Sequence, residues 1–220
     1  MENENTGHDD GKTSAAADAI TVAGLLLAAG RARRMGEDGP HKLLAEFDGV
    51  PLVRRSAQVL LGADLASVVA VTGHRRDEIE DTLSGLDLVI TFNPGFASGM
   101  ASSLVCGFSR LEAASADGVL VMLADMPAVT TGQINMMIRR FQSEGGQSVV
   151  RCVFDGKRGN PVILPRSCYA AVLQLTGDIG ARPVIERSGL AVIDVDIGPA
   201  AHIDVDTPEA VIAAGGILTR

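Results

Sequence analysis

The run Val22–Leu27, all apolar or small, halts at Ala28-Ala29-Gly30, and four cations follow within 12 residues: Arg31, Arg33, Arg34 and Lys42. Its length and composition suit a buried strand. The small residues after it leave little side chain in the way of a close ligand. Backbone N–H groups freed at a strand end, with guanidinium and ammonium groups beside them, suit a polyphosphate. In a chain of formal net charge −8 the four cations are a local reversal of sign.

Two better-known phosphate loops do not fit this stretch. A P-loop requires G-x-x-x-x-G-K-[ST], whereas Gly30 and Gly36 stand one residue too far apart and Glu37 follows. The dinucleotide fingerprint G-x-G-x-x-G is also missing after the strand. Neither a P-loop kinase nor an NAD enzyme is expected.

At 220 residues the chain is long enough for one α/β domain with a sizeable core and short for two. Aromatics are only 3% of it, so the core must be built from Val, Leu, Ile, Ala and Met. The acidic balance argues against a nucleic-acid binder, which shows a basic face. No apolar run approaches the ~20 residues of a membrane span, and no charged-then-apolar signal sequence opens the chain. A cytoplasmic protein, monomeric or weakly dimeric, is expected. Cys106, Cys152 and Cys168 lack metal-ligand spacing and read as small hydrophobes in a reducing compartment.

Residues 1–20 are polar, acidic and without period, which reads as a disordered tail before a single domain over 21–220. Phe47–Pro51 reads as a turn, and Leu52–Leu61 carries a helical apolar face. Strands are expected at Ser67–Thr72, Leu88–Phe92, Gly118–Leu123, Gln147–Phe154, Pro161–Leu164 and Ala191–Val195. Helices are expected at Asp77–Leu83, Met100–Ala114, Gln133–Glu144 and Pro208–Leu218, with Asp155–Gly159 as a turn. Strands alternating with helices give a parallel, doubly covered sheet. Ligands of such sheets sit beyond the carboxyl ends of the strands, where the loops at Gly30, Asn93 and Asp125 can meet.

A polyphosphate usually brings a divalent metal held by oxygen ligands. Asp125 closes an apolar strand at that edge, where it serves either as a metal ligand or as a helix-capping or loop aspartate. In His202–Pro208, alternation puts Asp204 and Asp206 on one face of an extended segment. A second metal ligand and a cap for the last helix, by Asp206 or Thr207, are both open. Asn93 and Gly99–Ser103 offer amides and hydroxyls either to a base and ribose or as ordinary caps. Lys157–Pro161 and Gly177–Arg182 close over a second substrate or are surface turns. His74, in a loop after a strand, reads as a neighbour of the site rather than a proton carrier.

Taken in order, LLLAAGRARRMG…K, NPGFASGMASSL, LADMP, RGNPV, GDIGAR and IDVDTPEA resemble the nucleotidyltransferases related to molybdenum cofactor biosynthesis. The resemblance runs from about Val22 to Ile212 and is strongest to the molybdenum cofactor cytidylyltransferases. It implies a Rossmann-like three-layer α/β sandwich with a mostly parallel sheet, as in nucleotide-diphospho-sugar transferases. It also implies Mg²⁺-dependent transfer of a nucleoside monophosphate.

Carried onto this chain, the resemblance makes Arg34, Lys42 and Asp125 catalytic and gives Asp125 and Asp206 to the metal. Leu27, Ala28, Ala29, Gly30 and Thr72 would belong to the nucleotide site, with Asn93, Gly99 and Ser103 facing base and ribose. Asn160, Asp178 and Arg182 would hold a pterin. Ala-Ala-Gly is commoner with CTP, where the guanylyltransferases tend to Ala-Gly-Gly. The implied reaction is attack by a terminal phosphate of molybdopterin-type cofactor on the α-phosphorus of CTP, with loss of pyrophosphate.

A molybdenum hydroxylase or its maturation chaperone is the implied recipient. A different nucleotide or phosphorylated acceptor is one rival, and a non-catalytic escort of the cofactor is another. The chain departs from the pattern at Ala32 (usually a small hydroxyl residue), at Glu37–His41 (a longer path to Lys42), at Phe96 (an aromatic that is often Trp), at Ala124 (usually Gly) and at Ala210 (commonly Asp).

Overall fold

The computed structural model describes residues 19–36, 39–111 and 115–218. The tail expectation therefore falls outside the described residues up to 18. Ile20 already belongs to the domain, packing on the core while its carbonyl accepts from Gln142 Nε2.

The elements alternate as the apolar runs dictate. β1 is Val22–Ala28. A small hairpin, β2 (Glu46–Phe47) and β3 (Val50–Pro51), leads into α1 (Leu52–Leu61). β4 (Val68–Thr72), α2 (Arg76–Leu83), β5 (Val89–Phe92), α3 (Met100–Leu111), β6 (Gly118–Leu123) and α4 (Thr131–Ser143) follow. The last part holds β7 (Val149–Phe154), β8 (Lys157–Pro165), α5 (Tyr169–Val172), α6 (Arg182–Arg187), β9 (Val192–Asp196) and α7 (Pro208–Ala213).

Seven strands form one sheet in the order β5-β4-β1-β6-β8-β7-β9. β8 pairs antiparallel with both β6 and β7, and the remaining pairs are parallel. The sheet is thus mostly parallel, as expected, with one reversed strand. β8 also begins at Lys157, so 157–160 is strand rather than turn. The reversal is confined to Asp155 and Gly156, both at positive φ (50° and 68°), the two-residue geometry that matches strand twist. α7 stops at Ala213, short of the expected Leu218.

Alternation along β1 sends Val22, Leu26 and Ala28 to one core and Ala23, Leu25 and Ala29 to the other. The first core is closed by α1, α2 and α4 through Val53, Ile79 and Phe141. The second is closed by α3, α5 and α6 through Leu104, Tyr169 and Val184. Three layers result, with both faces of the central strands covered and the edge strand β9 exposed at Val192, Asp194 and Asp196. Each fully buried Leu of β1 contributes about 1.5–3 kcal/mol. α3 lies close enough to β1 that a Cβ on Gly107 would meet Leu25 Cδ1 at 2.3 Å. Cys152 and Cys168 are buried, and Cys106 is half-buried.

β1 connects to β4 on one side of itself and β6 lies on the other. That reversal of direction opens a crevice at the carboxyl ends of β1 and β6, where ligands of open α/β sheets bind.

Candidate active site

The crevice is a cavity of about 530 Å³. Its floor comes from Leu27 and Leu123, the ends of β1 and β6. One wall is the loop Ala29–Arg33, and the other is the Phe96–Met100 turn with Ser103 of α3. Lys42, Asp125, Asp204 and Asp206 cluster at one end.

Lys42 begins a 3₁₀ turn and is only 8% exposed. Its Nζ donates to Asp125 Oδ2 and to Asp206 Oδ1, the latter at 2.6 Å. Burial alone would push the ammonium's pKa down, but Asp125 and then Asp206 outweigh it and hold it above the ordinary lysine value. Asp206 is drawn the other way. Burial raises its pKa, Lys42 and Arg34 together lower it by more, and the net displacement is downward. Asp204 makes no ion pair among the described residues; burial, then Asp125 and Asp206, push its carboxyl up against a smaller pull from Lys42.

Asp204 and Asp206 reach one cavity because alternation turns Val205 inward, 1% exposed, with its N–H donating to the Asp125 carbonyl at 3.0 Å. That bond staples the 203–206 segment to the end of β6. Capping of α7 falls to Thr207, whose hydroxyl accepts from Ala210 N–H.

The two carboxylates fit a divalent cation. Both are hard oxygen donors, and Asp125 Oδ1 is buried without a hydrogen-bond partner among the described residues. No group of three or more His, Cys, Asp and Glu with metal-binding geometry occurs among the described residues. Mg²⁺ commonly takes only one or two carboxylates and completes its shell with water and substrate phosphates.

Leu27, Ala29, Gly30, Lys42, Gly99 and Ser103 all line the cavity. Ala28 does not; the strand alternation that brings Leu27 and Ala29 to the crevice buries it on the other face. Thr72 is fully buried, and its hydroxyl donates to Glu80 Oε1 at 2.8 Å, tying β4 to α2. Asn93 is a scaffold. Its Nδ2 donates to the hydroxyls of Ser102 and Ser103, and its Oδ1 accepts from Gly95 N–H. It orders the turn whose members line the wall.

Arg34 stands at the rim, its side chain 71% exposed, and donates to Asp206 Oδ2 at 2.5 Å. Arg31 and Arg33 line the cavity in its stead. Ala32 at φ 50° turns the chain between them, and Arg31 lies 5.4 Å over the Phe96 ring.

The residues assigned to a second substrate divide. Asp178 lines this cavity and accepts from Met100 N–H at 3.1 Å. Gly99, at φ 115°, permits that approach, since a Cβ there would meet Asp178 Cα at 2.6 Å. Asn160 and Arg182 line a neighbouring cavity of about 350 Å³ that shares Leu27, Met100 and Leu123 with the first. The two therefore form one branched site.

His41 is a site residue the sequence did not single out. It is 3% exposed; its Nδ1 accepts from Leu43 N–H and its Nε2 donates to the Gly30 carbonyl, both at 3.3 Å. The ring thus clips the cationic loop to the turn that carries Lys42. Burial, helped by His74, Arg75 and Lys42, outweighs the Gly30 hydrogen bond and lowers its pKa to about 4, so it is neutral in ordinary buffers. His74 stacks on it at 5.5 Å between centroids and contacts the back of the loop, as a neighbour of the site should.

The model of the MobA-like NTP transferase domain matches residues 24–192. GlmU of Carboxydothermus hydrogenoformans, named a bifunctional protein, is 25% identical over 80% of this chain, but the chain spans only 38% of that protein's length. PucB of Bacillus subtilis, named a purine catabolism protein, is 27% identical and covers 86% of this chain and 93% of its own. A probable molybdenum cofactor guanylyltransferase of Haloferax mediterranei is 30% identical over 78% of this chain and 80% of its own. Among solved structures, Rv0371c of Mycobacterium tuberculosis superposes with a TM-score of 0.76 at 21% identity, covering 89% of this chain and 98% of that one. Its manganese complex superposes with a TM-score of 0.70 at 20% identity, covering 88% and 97%.

Proposed function

Since the chain belongs to the family of MobA-like NTP transferase domains, we propose that it transfers CMP from CTP to the terminal phosphate of a molybdopterin-type cofactor. An oxygen of the acceptor phosphate forms the new bond to the α-phosphorus, the α–β bridging P–O bond breaks, and pyrophosphate leaves. The observation that carries this reading is the Lys42 ammonium held between Asp125 and Asp206 in the cavity that the Ala29–Arg33 loop walls.

The protein's part is positioning and charge stabilisation, which for phosphoryl chemistry supply most of the rate. Lys42, with Arg31 and Arg33 on the same cavity, neutralises charge on the departing pyrophosphate oxygens. Asp125 and Asp206 would hold a divalent cation, Mg²⁺ in this reading, which would polarise the α-phosphate. A manganese complex is recorded for one structural neighbour, Rv0371c. Arg34 holds Asp206 from the rim. No general base is required, because a phosphate oxygen is already anionic.

CTP is preferred because Ala28-Ala29-Gly30 carries Ala where guanylyltransferases tend to Gly. GTP is the second reading, favoured by the Haloferax relative's name. An acceptor from purine metabolism draws on PucB in the same way. Thermal shift with Mg²⁺ and each nucleotide, followed by pyrophosphate release with phosphorylated pterin and purine acceptors, separates them. CTP is expected to raise the Tm most, because a ligand that binds only the folded form stabilises it. A larger shift and turnover with GTP would transfer the assignment to guanylyl transfer. Tight pterin binding without pyrophosphate from any nucleotide would leave an escort that delivers the cofactor to a molybdenum hydroxylase.

A further inference from the structure

β7 turns Val149 and Arg151 to the same apolar face of the sheet, and on that face Arg151 pairs across to Val162 of β8. An arginine here is expensive, because a guanidinium taken out of water needs partners for its donors. Arg151 is nonetheless 9% exposed. Its Nε and Nη2 both donate to one oxygen, Asp194 Oδ1, at 3.1 and 2.6 Å. Its Nη1 has no partner among the described residues, and the side chain borders the 350 Å³ branch of the site. The pairing of β7 with β8 shifts register immediately after Arg151, the kind of bulge that re-aims a side chain.

Arg158 and Arg182 border the same branch, and Glu186, paired with Arg182, is the carboxylate on it. Three guanidiniums against Glu186 on the branch and Asp194 behind Arg151 leave it net positive by one in an acidic chain. Its other walls are apolar, from Leu104, Val121, Val162 and Ile185. The Asp194 pair accounts for Nε and Nη2 but leaves Nη1 unanswered at the cavity. A ligand that brings its own negative charge would answer it.

We propose that Arg151, supported by Arg158, is a specificity residue for the acceptor. It reads an anionic group carried by a flat heteroaromatic acceptor. The ring lies against the apolar walls and the anion meets Nη1 of Arg151. Asp194 orients the guanidinium from its far side and leaves that donor free. This rests on the proposed nucleotidyl transfer for which branch holds the acceptor, but not for the charge it must carry.

The test uses the full chain and two fluorescent probes, pterin-6-carboxylate and the neutral 6-hydroxymethylpterin, read by quenching. The wild type is expected to bind the carboxylate about 10- to 100-fold tighter, the range for a charge-assisted hydrogen bond. Arg151→Gln should abolish that preference while leaving the affinity for the neutral probe and for CTP within about twofold, and Arg151→Lys should restore part of it. If Arg151→Gln does not fold, Arg158→Gln carries the test with a smaller expected loss. Equal affinity for the two probes in the wild type overturns the inference, as does a preference that survives both substitutions, or no binding of either probe. A nucleotide that gives no pyrophosphate with any acceptor, alongside an intact carboxylate preference, would sink the proposed reaction and leave this subsite standing.

Discussion

Replacing Lys42 with Met removes one positive charge from between two carboxylates while keeping the length of the aliphatic stem. The side chains of Lys42 and Asp125 are 11% and 13% exposed, and that of Asp206 is 35% exposed. Removing one partner of a buried ion pair costs about 3–5 kcal/mol; solvent at Asp206 puts this case near the lower end, ~3 kcal/mol. For a domain of this size that corresponds to a Tm lower by about 6–12 °C.

The pH dependence has a definite sign. Lys42's pKa is raised, so its contribution is complete below the unfolded lysine value and fades as pH rises through the folded one. Asp206's pKa is lowered, so its contribution is present above the unfolded carboxylate value and is lost as pH falls through the folded one. The Tm gap between wild type and Lys42→Met should therefore be widest at neutral pH and narrow below about pH 4. Millimolar Mg²⁺ should raise the variant's Tm more than the wild type's, because in the variant the cation no longer competes with an ammonium for the same oxygens. Pyrophosphate release should fall about 10²–10³-fold. A variant as stable as the wild type at pH 7, or one that Mg²⁺ stabilises no more than the wild type, refutes the assignment of these carboxylates to a shared cation site.

Asp125→Asn should eliminate metal-dependent pyrophosphate release while moving the Tm by only a few degrees; near-normal turnover in Mg²⁺ titrations would remove Asp125 from the metal site. Because His41 is held neutral down to about pH 4 while an unfolded imidazole takes its proton near 6.5, stability present above pH 6.5 should drain away between pH 6.5 and 4. His41→Gln should flatten that acid slope in denaturant titrations, leaving the smaller part due to His74, whose pKa is also lowered by burial and by Arg31. Gly99→Ala, with a Cβ forced to 2.6 Å from Asp178 Cα at φ 115°, should lower the Tm and raise the KM for CTP, since both residues line the larger cavity. An unchanged KM for CTP in steady-state pyrophosphate assays would remove this contact from the nucleotide wall.

The strands with continuous apolar composition were legible because burial on both faces leaves no other reading: Gly118–Leu123 is β6 to the residue. The segment 157–160 was not, since its Lys-Arg-Gly-Asn composition is that of a turn. Its strand character comes from pairing with β7 across a two-residue reversal, a tertiary fact. α5 and α6, with four and six residues, are too short to show a helical period. The last helix ends early because Gly215, at φ 86°, gives it a left-handed stop.

Within the site, what could be read was chemistry that composition makes rare, and what could not was direction. Asp125 and Asp206 stood out as charges at the end of an apolar strand and in an extended segment, Lys42 as a cation of the loop and through the resemblance, and the three do meet. Among Arg31, Arg33 and Arg34, the motif pointed to Arg34, yet Ala32's left-handed turn and the following 3₁₀ turn send Arg31 and Arg33 to the cavity and Arg34 to the rim. Arg151 raised no expectation although it lies in the middle of VVRCVF, where period-two alternation places it beside Val149 on the inner face. A lone cation in a strand that is otherwise apolar is itself a signal. At 9% exposure its guanidinium calls for a carboxylate or a ligand as partner. Asp194 answers with one oxygen, from the next strand; the donor it leaves over marks where the acceptor's own charge is expected.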